Sequence, residues 1–335
     1  MTDSTILQTS HLKTYFFTRN GVVKAVDDLS FSLRRGESLC LVGESGCGKT
    51  ATALSVLRLI DNPPGKIVDG EILYHGEDLL QCSLERMKQI RGNRIAMIFQ
   101  DPQSALNPVF TVGDQIAEQV SLHLKLNSRA AMDRALHLME QVGIPQAGAR
   151  IRDYPHQFSG GMRQRIMIAA ALSCDPEILI ADEPTTALDT TIKAQILDIF
   201  RGLKQERDMS ILFITHDLGT VAEIADRVIV MYGGRLAEAG TAADIFDHPL
   251  HPYTLGLINC LPGIPGRRDR LTPIPGMIPS LIDPPEGCIF SPRCQQRLAF
   301  CERVRPQEVT ISGEHIVACH LYPEASPAKE DVVSQ

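Results

Sequence analysis

The octapeptide Gly43-Glu44-Ser45-Gly46-Cys47-Gly48-Lys49-Thr50 has the spacing G-x-x-x-x-G-K-[ST]. That spacing suits the grip of a nucleoside triphosphate. Gly43, Gly46 and Gly48 let the backbone curl until successive N–H groups, that of Ala51 included, face phosphate oxygens, and the positive end of the following helix adds to the field. Lys49 is placed to meet the β- and γ-phosphates, and Thr50 a magnesium ion. Cys47 fills a free position, so its thiol reads as incidental. A second run of chemical interest ends in Asp182-Glu183-Pro184, after the apolar residues Ile178, Leu179, Ile180 and Ala181. Beside the phosphate loop, Asp182 would hold magnesium and Glu183 would orient or deprotonate an attacking water.

Such a loop works only where a strand delivers it and a helix leaves it. Ser38-Leu39-Cys40-Leu41-Val42 suits a buried strand, and residues 49–60 carry a helical pattern stopped by Asn62-Pro63-Pro64-Gly65. A glycine-rich turn before an ordinary helix is the plain alternative, and the three elements in sequence argue against it. Residues 95–99 form a strand before Gln100, and 210–215 form one before His216. Residues 227–232 lead into the turn Gly233-Gly234, after which Thr241 caps a short helix ending at His248-Pro249. Helices are expected over 117–126, 129–142 and 190–206, the last packing through Ile192, Ile196, Ile199 and Leu203 on one face. The fold class is α/β.

A chain of 335 residues points to about two domains. With 44% hydrophobic and 22% charged residues it buries a sizeable core. The longest apolar stretch, near 166–172, is far short of a bilayer span. The N-terminus lacks a basic region followed by an apolar one, so the expected compartment is the cytoplasm. A net charge of −7 argues against a nucleic-acid-binding surface.

Phe158-Ser159-Gly160-Gly161-Met162 stands ahead of a helical run, with Gln100 upstream and Ala187-Leu188-Asp189 and His216 downstream. In this order, over residues 1 to about 240, the set resembles the ATPases of the ABC (ATP-binding cassette) family. The resemblance implies a RecA-like P-loop nucleotide-binding domain with an antiparallel β edge. Residues 1–100 and 176–245 would form the ATP-binding core with its antiparallel β subdomain, and 101–175 a helical subdomain bearing the signature. It further implies that Ser159, Gly160 and Gly161 meet the ATP of an opposed subunit, so that two nucleotides lie in a head-to-tail dimer. His216 would contact the γ-phosphate and position water, Gln100 would sense γ-phosphate and magnesium, and Asp189 would link the two sites. Glu183 with His216 would carry catalysis, assisted by Lys49 and Gln100. The family signature usually ends in Gln, so Met162 puts a polar contact at that position in question. The family also stacks adenine on an aromatic of its first strands, for which Tyr15 is the candidate. Alternation puts Tyr15 and Phe17 on one face and Phe16 on the other, and the alternative is that all three are core aromatics.

Residues 101–108, Asp101-Pro102-Gln103-Ser104-Ala105-Leu106-Asn107-Pro108, resemble the loop of peptide importers beside which membrane-spanning partners insert coupling helices; a plain loop is the alternative. After residue 245 the composition shifts, with eight prolines from Pro262 to Pro292 and the cluster Arg267-Arg268-Asp269-Arg270, read as a solvated loop. His251-Pro252-Tyr253 resembles a tripeptide that marks the C-terminal extension, here 246–335, of oligopeptide and dipeptide importer ATPases. Cys288, Cys294, Cys301 and Cys319 follow with spacing C-x5-C-x6-C-x17-C. In a cytoplasmic protein four thiols suggest a metal; the absence of a C-x2-C knuckle argues for an iron–sulfur cluster over zinc, and zinc or free or variably paired thiols are the alternatives. Some members of the dipeptide-importer family carry a four-iron cluster here, which favours 4Fe-4S, and His320 is a possible substitute ligand. The other cysteines, Cys40, Cys82, Cys174 and Cys260, read with Cys47 as isolated small hydrophobes.

The whole chain therefore resembles the ATP-hydrolysing subunit of a dipeptide importer, using ATP and magnesium at the cytoplasmic face of the cell membrane. Its partners would be a second ATPase subunit, two membrane-spanning permease subunits and an extracytoplasmic peptide-binding protein. Import of oligopeptides, nickel or metallophores is the nearer alternative. A soluble ABC ATPase acting on ribosomes or DNA would call for tandem cassettes or a long coiled-coil insertion, and the chain has one signature.

Overall fold

The computed structural model describes residues 5–186, 188–261, 273–277, 279–282 and 284–322. The cluster at 267–270 and Ala187 lie outside the described residues. In chain order the described strands are β1 (Thr5–Thr18), β2 (Gly21–Arg34), β3 (Ser38–Val42), β4 (Gly65–Tyr74), β5 (Glu77–Asp78) and β6 (Ile95–Ile98). They continue with β7 (Ile178–Asp182), β8 (Ser210–Thr215), β9 (Arg227–Tyr232), β10 (Arg235–Thr241), β11 (Val309–Ser312) and β12 (His315–Val317).

Strands β3, β7 and β8 are buried at every position. Continuous apolar runs of this kind belong to parallel strands covered on both faces. The main sheet has the order β11-β12-β10-β9-β3-β8-β7-β6, parallel from β9 to β6 and antiparallel beyond. Successive side chains of a strand point to opposite faces, and the core divides accordingly. Leu39, Leu41, Ile178, Ile180, Leu212 and Ile214 pack toward a second, antiparallel sheet of order β2-β1-β4-β5. Cys40, Val42, Leu179, Ala181, Ile211 and Phe213 pack toward the opposite layer of helices. This is the α/β architecture with an antiparallel β edge expected from the sequence.

The helical segment follows its pattern with shifted ends. Helix Val112–Leu124 buries Val112, Ile116, Ala117 and Val120, and helix Ser128–Gln141 buries Ala131, Ala135, Leu138 and Met139, each an i, i+3/i+4 stripe. Thr111 and Asn127 accept the backbone N–H of Asp114 and Ala130 and so fix where the helices start. The segment at 101–108, expected as a loop, holds one helical turn, Pro102–Ala105. The helix expected over 49–60 stops earlier, as Lys49–Val56. Arg58 has φ +51°, and its guanidinium donates to the carbonyls of Leu79 and Cys82, so a tertiary contact draws the chain out of the helix.

The C-terminal extension is built onto the main sheet rather than hung from it. Strand β12 pairs with β10, and β11 with β12. Glu238 of β10 joins the layers: fully buried, it accepts hydrogen bonds from the N–H of Leu250 and of His251, both at 2.8 Å, and shares one of 2.7 Å with His315 Nε2. A buried carboxylate is tolerated only where its oxygens are satisfied in this way. Replacing it leaves the buried His251 amide, the part-buried Leu250 amide and an imidazole without an acceptor. Glu238→Ala is expected to lower stability by about 3 kcal/mol, measured as a fall in the denaturant midpoint. A midpoint within experimental error of the parent would refute the anchoring role.

Candidate active site

The phosphate loop is braced from behind. Gly43 (φ +153°), Gly46 (φ +80°) and Gly48 (φ +106°) take conformations that L side chains rarely adopt. A Cβ on Gly48 would stand 2.1 Å from the Ala25 carbonyl oxygen, and one on Gly43 2.3 Å from that of Met231. Only glycine fits at either place. The carbonyls of Gly43 and Glu44 accept from Lys49 Nζ at 2.8 and 3.0 Å, and that of Cys47 accepts from the N–H of Gly234 at 2.9 Å. With its carbonyls turned inward, the loop is free to present amides outward. Lys49 is buried, so its charge is spent inside the site rather than on solvent. Cys47 is buried too, and burial pushes its thiol up, consistent with an inert packing role.

Four parallel strands place the remaining groups, because they end along one edge of the sheet. Val42 pairs with Thr215, Ile98 with Ala181, and Asp182 with Ile214. Hence Gln100, Asp182, Glu183 and His216 follow β6, β7 and β8 into the crevice where the loop leaves β3. Asp182 is buried, its Oδ1 has no hydrogen-bond partner among the described residues, and the Thr50 side chain lies close enough to act on the carboxylate. Burial pushes this carboxyl up to about 6, with the charge of Glu183 adding to the rise and Thr50 and Lys49 opposing it. An orphaned carboxylate oxygen beside a hydroxyl and a phosphate loop fits a hard divalent cation such as magnesium.

Glu183 has φ +46°, a left-handed backbone for a side chain with a Cβ, secured by its N–H on the Ile214 carbonyl at 2.8 Å. Its carboxylate takes Gln100 Nε2 at 3.2 Å, the Thr186 hydroxyl at 2.9 Å and His216 Nδ1 at 3.0 Å. Burial raises this carboxyl, but the bonds from His216 and Thr186 outweigh it and the net shift is downward. The two neighbouring carboxyls are thus driven apart, Glu183 ionised and Asp182 reluctant without a cation.

Ser159, Gly160, Gly161 and Asp189 stand apart from this group, with no hydrogen bond to it among the described residues. Ser159 caps helix Gly160–Ala171 by accepting the Met162 N–H, and Asp189 caps helix Thr190–Arg207 through the Ile192 N–H. Met162 is packed against the core, with Arg150 Nη1 3.4 Å from its sulfur, so the fifth signature position serves packing. Tyr15 is half-buried, its hydroxyl donating to Asp27 at 2.6 Å, while Phe16 packs against Gly65 and Phe17 is half exposed. None of the three is a fully buried core aromatic.

Cys288, Cys294, Cys301 and Cys319 are free thiols. The Cys288 N–H donates to the Cys301 carbonyl at 2.7 Å. Burial pushes Cys319 up to about 11, and the charges of Cys288, Cys294 and Cys301 add to that rise. The four are neighbours, yet among the described residues no three His, Cys, Asp or Glu form a group set to hold a metal ion. Cys301 Sγ instead accepts the Leu298 N–H. His320 is turned away onto the Val304 carbonyl and the Phe300 ring, which removes it as a substitute ligand in this arrangement.

Three residues at the site carry no sequence signal for it. Thr186 follows the paired carboxylates, and its threonine was indistinguishable from a turn residue. Tyr253 and Arg293 lie far along the chain, and both contact Glu44 of the loop.

The shift on Asp182 has a stability consequence. A carboxyl raised from 3.8 to about 6 contributes stability that is fully present below about 4 and lost as pH rises through about 6. Asp182→Asn removes this dependence. In metal-free protein the variant is expected to be more stable than the parent at about pH 7.5, by roughly 1–3 kcal/mol, with the difference shrinking steadily as pH falls and vanishing near pH 3. An identical difference at both pH values would disprove the assignment.

Comparison with known proteins agrees with this geometry. A family model described as "ABC transporter" matches residues 26–186, and one described as "Oligopeptide/dipeptide transporter, C-terminal region" matches 237–301. The dipeptide transport ATP-binding protein DppD of Bacillus subtilis is 50% identical over 316 residues, 94% of each chain. The oligopeptide transport ATP-binding protein AppD of the same organism is 47% identical, over 96% of this chain and 98% of that one. Among solved structures, the dimeric bacterial ABC transporter cassette MJ0796 matches with a TM-score of 0.64 at 23% identity, over 70% of this chain and 98% of that one. The cbiO1 cassette of Clostridium perfringens matches with 0.61 at 24% identity, over 73% and 91%. No described helix is long and apolar enough to cross a membrane. The chain belongs to the ATP-binding subunits of ABC transporters, in the branch that carries the oligopeptide/dipeptide C-terminal region.

Proposed function

We propose that this chain hydrolyses ATP to ADP and phosphate in order to drive the import of dipeptides. The observation that carries the proposal is the convergence of Lys49, Thr50, Gln100, Asp182, Glu183 and His216 at the ends of four parallel strands, in a chain whose extension matches the peptide-transporter region. Amides of residues 45–51 and Lys49 hold the phosphates, and Lys49 exchanges loop carbonyls for phosphate oxygens. Thr50 and Asp182, with Gln100, would hold magnesium, which would supply charge neutralisation to the phosphates. Glu183, ionised at neutral pH, accepts the proton of the attacking water. His216 keeps that carboxylate oriented and faces the γ-phosphate. Tyr15, held by Asp27, provides a stacking face for adenine.

Ser159, Gly160 and Gly161 would serve the nucleotide of an opposed subunit, a second ATPase of the same or a related sequence, with Asp189 linking the two sites. The groove lined by Phe99, Leu106, Phe110, Gln115 and Leu122 would take a helix from one permease subunit, the second permease using the same groove of the opposed ATPase. The complex would sit at the cytoplasmic face of the membrane and receive peptide from an extracytoplasmic binding protein.

Glu183→Gln is expected to retain ATP while turnover falls about 10²-fold or more, and to accumulate as an ATP-bound dimer in size-exclusion chromatography. Near-normal turnover by the assembled complex would rule out the base assignment. Dipeptides should stimulate ATPase activity of the complex reconstituted with its permease and binding protein; stimulation by nickel alone would shift the cargo.

For Cys288, Cys294, Cys301 and Cys319 we propose a 4Fe-4S cluster, with zinc as the alternative. What supports it is the proximity of four unpaired thiols in a segment poor in regular structure, where ligation would contribute folding free energy directly. Protein purified without oxygen should be brown and carry about four iron and four sulfide per chain. Colourless protein with stoichiometric zinc would decide for the alternative.

A further inference from the structure

Glu44, the second residue of the phosphate loop, is bonded through every polar group it has. Its N–H donates to the Tyr253 hydroxyl at 2.9 Å. Its carbonyl accepts from Lys49 Nζ at 3.0 Å. Its carboxylate receives both terminal nitrogens of Arg293, at 2.6 and 3.1 Å, a two-pronged pair of the geometry that arginine alone provides. Tyr253 and Arg293 both belong to the extension, the latter in the 3₁₀ turn Ser291–Arg293, directly before Cys294.

Arg293 is itself over-determined. Its side chain is 4% exposed, and it donates further to the carbonyl of Pro275 at 2.9 Å and to the Tyr232 hydroxyl at 3.2 Å, while its guanidinium carbon lies 5.8 Å from the Tyr232 ring centre. Tyr232, Tyr253 and Phe290 pack edge to face or tilted around it, with ring centres 4.6 to 5.4 Å apart. A guanidinium held on so many sides cannot follow Glu44 if the loop moves. Glu44, by contrast, sits on a loop whose glycine backbones give it no stiffness of its own.

We propose that Arg293 and Tyr253 are positioning residues of the ATP site: the extension sets the phosphate loop through Glu44. The pair acts at one remove from nucleotide. It fixes the carbonyl on which Lys49 rests and the direction of the amides that follow, so the loop meets phosphate already shaped. The extension is thereby a component of the ATPase rather than an appendage to it. This rests on the nucleotide reading of the loop, which ATP binding and turnover by the parent protein establish independently.

Full-length parent, Arg293→Lys, Glu44→Gln and the double variant are compared by calorimetric titration with ATP and magnesium and by steady-state ATPase kinetics. Each single variant keeps size and near-isosteric shape but loses the two-pronged charged pair. Expected is a loss of about tenfold in ATP affinity for each, equal to about 1.4 kcal/mol, with KM rising more than kcat falls. The double variant should be no weaker than the weaker single one. Affinity equal to the parent in either folded single variant, or losses that multiply in the double, would overturn the proposal. If Arg293→Lys does not fold, Glu44→Gln decides: weakened ATP binding with an unchanged melting point supports the clamp, and unchanged binding refutes it.

Discussion

The structure depends on how closely the phosphate loop lies against the backbone behind it. The Cα of Gly48 faces the Ala25 carbonyl of β2, and that of Gly43 faces the Met231 carbonyl of β9, with no room for a side chain between. Gly234 N–H then ties the Cys47 carbonyl to the β9–β10 turn, and the Gly234 carbonyl takes the N–H of Asp27. Loop, antiparallel sheet and main sheet are stitched at one point. A peptide chain curled with its carbonyls bound on the inner side must turn its remaining amides outward, and an outward row of amides ahead of a helix is an anion site. The antiparallel sheet is required for that reason before it does anything for the base.

The catalytic pair follows from the same geometry. Asp182 and Glu183 are adjacent in sequence, so strand alternation and the left-handed turn at Glu183 send their carboxylates different ways. One remains buried against Thr50 without a partner for Oδ1; the other turns to Gln100, Thr186 and His216. Two like charges so close would both rise in pKa if left alone. Here hydrogen bonds lower one while burial raises the other, so in the proposed mechanism a single dipeptide supplies both a metal ligand and a base.

Much of this was legible before the fold. The octapeptide, the carboxylates at 182–183, and the strands Ser38–Val42, Ser210–Thr215 and Arg227–Tyr232 were readable because a fully buried parallel strand is apolar throughout and ends abruptly at its polar residue. Ends set by distant partners were not: the Lys49–Val56 helix stops where Arg58 reaches across to Leu79 and Cys82. The Glu44–Arg293 pair was beyond any local pattern, since 249 positions separate its members and Arg293 reads only as a residue between two cysteines. At Met162 the sequence put a polar contact in question, and on the helix the side chain falls on the face turned to the core.

The signature helix explains why a complete catalytic group is still only part of a working site. A Cβ on Gly161 would meet the Ile192 side chain at 2.9 Å, so the helix start is pressed against helix Thr190–Arg207. Gly160 has open space around it, and the one cap, Ser159, is spent on the Met162 N–H. The first amides of a helix have no partner within it. Carried by the helical segment, this terminus makes no hydrogen bond to its own phosphate loop among the described residues. In the proposed dimer it meets the partner's γ-phosphate, and the division is then physical: the groups that cleave ATP are assembled in one chain, while the terminus that closes over the phosphate arrives only with the second. Hydrolysis is thereby coupled to association, which is the condition for ATP to move anything else.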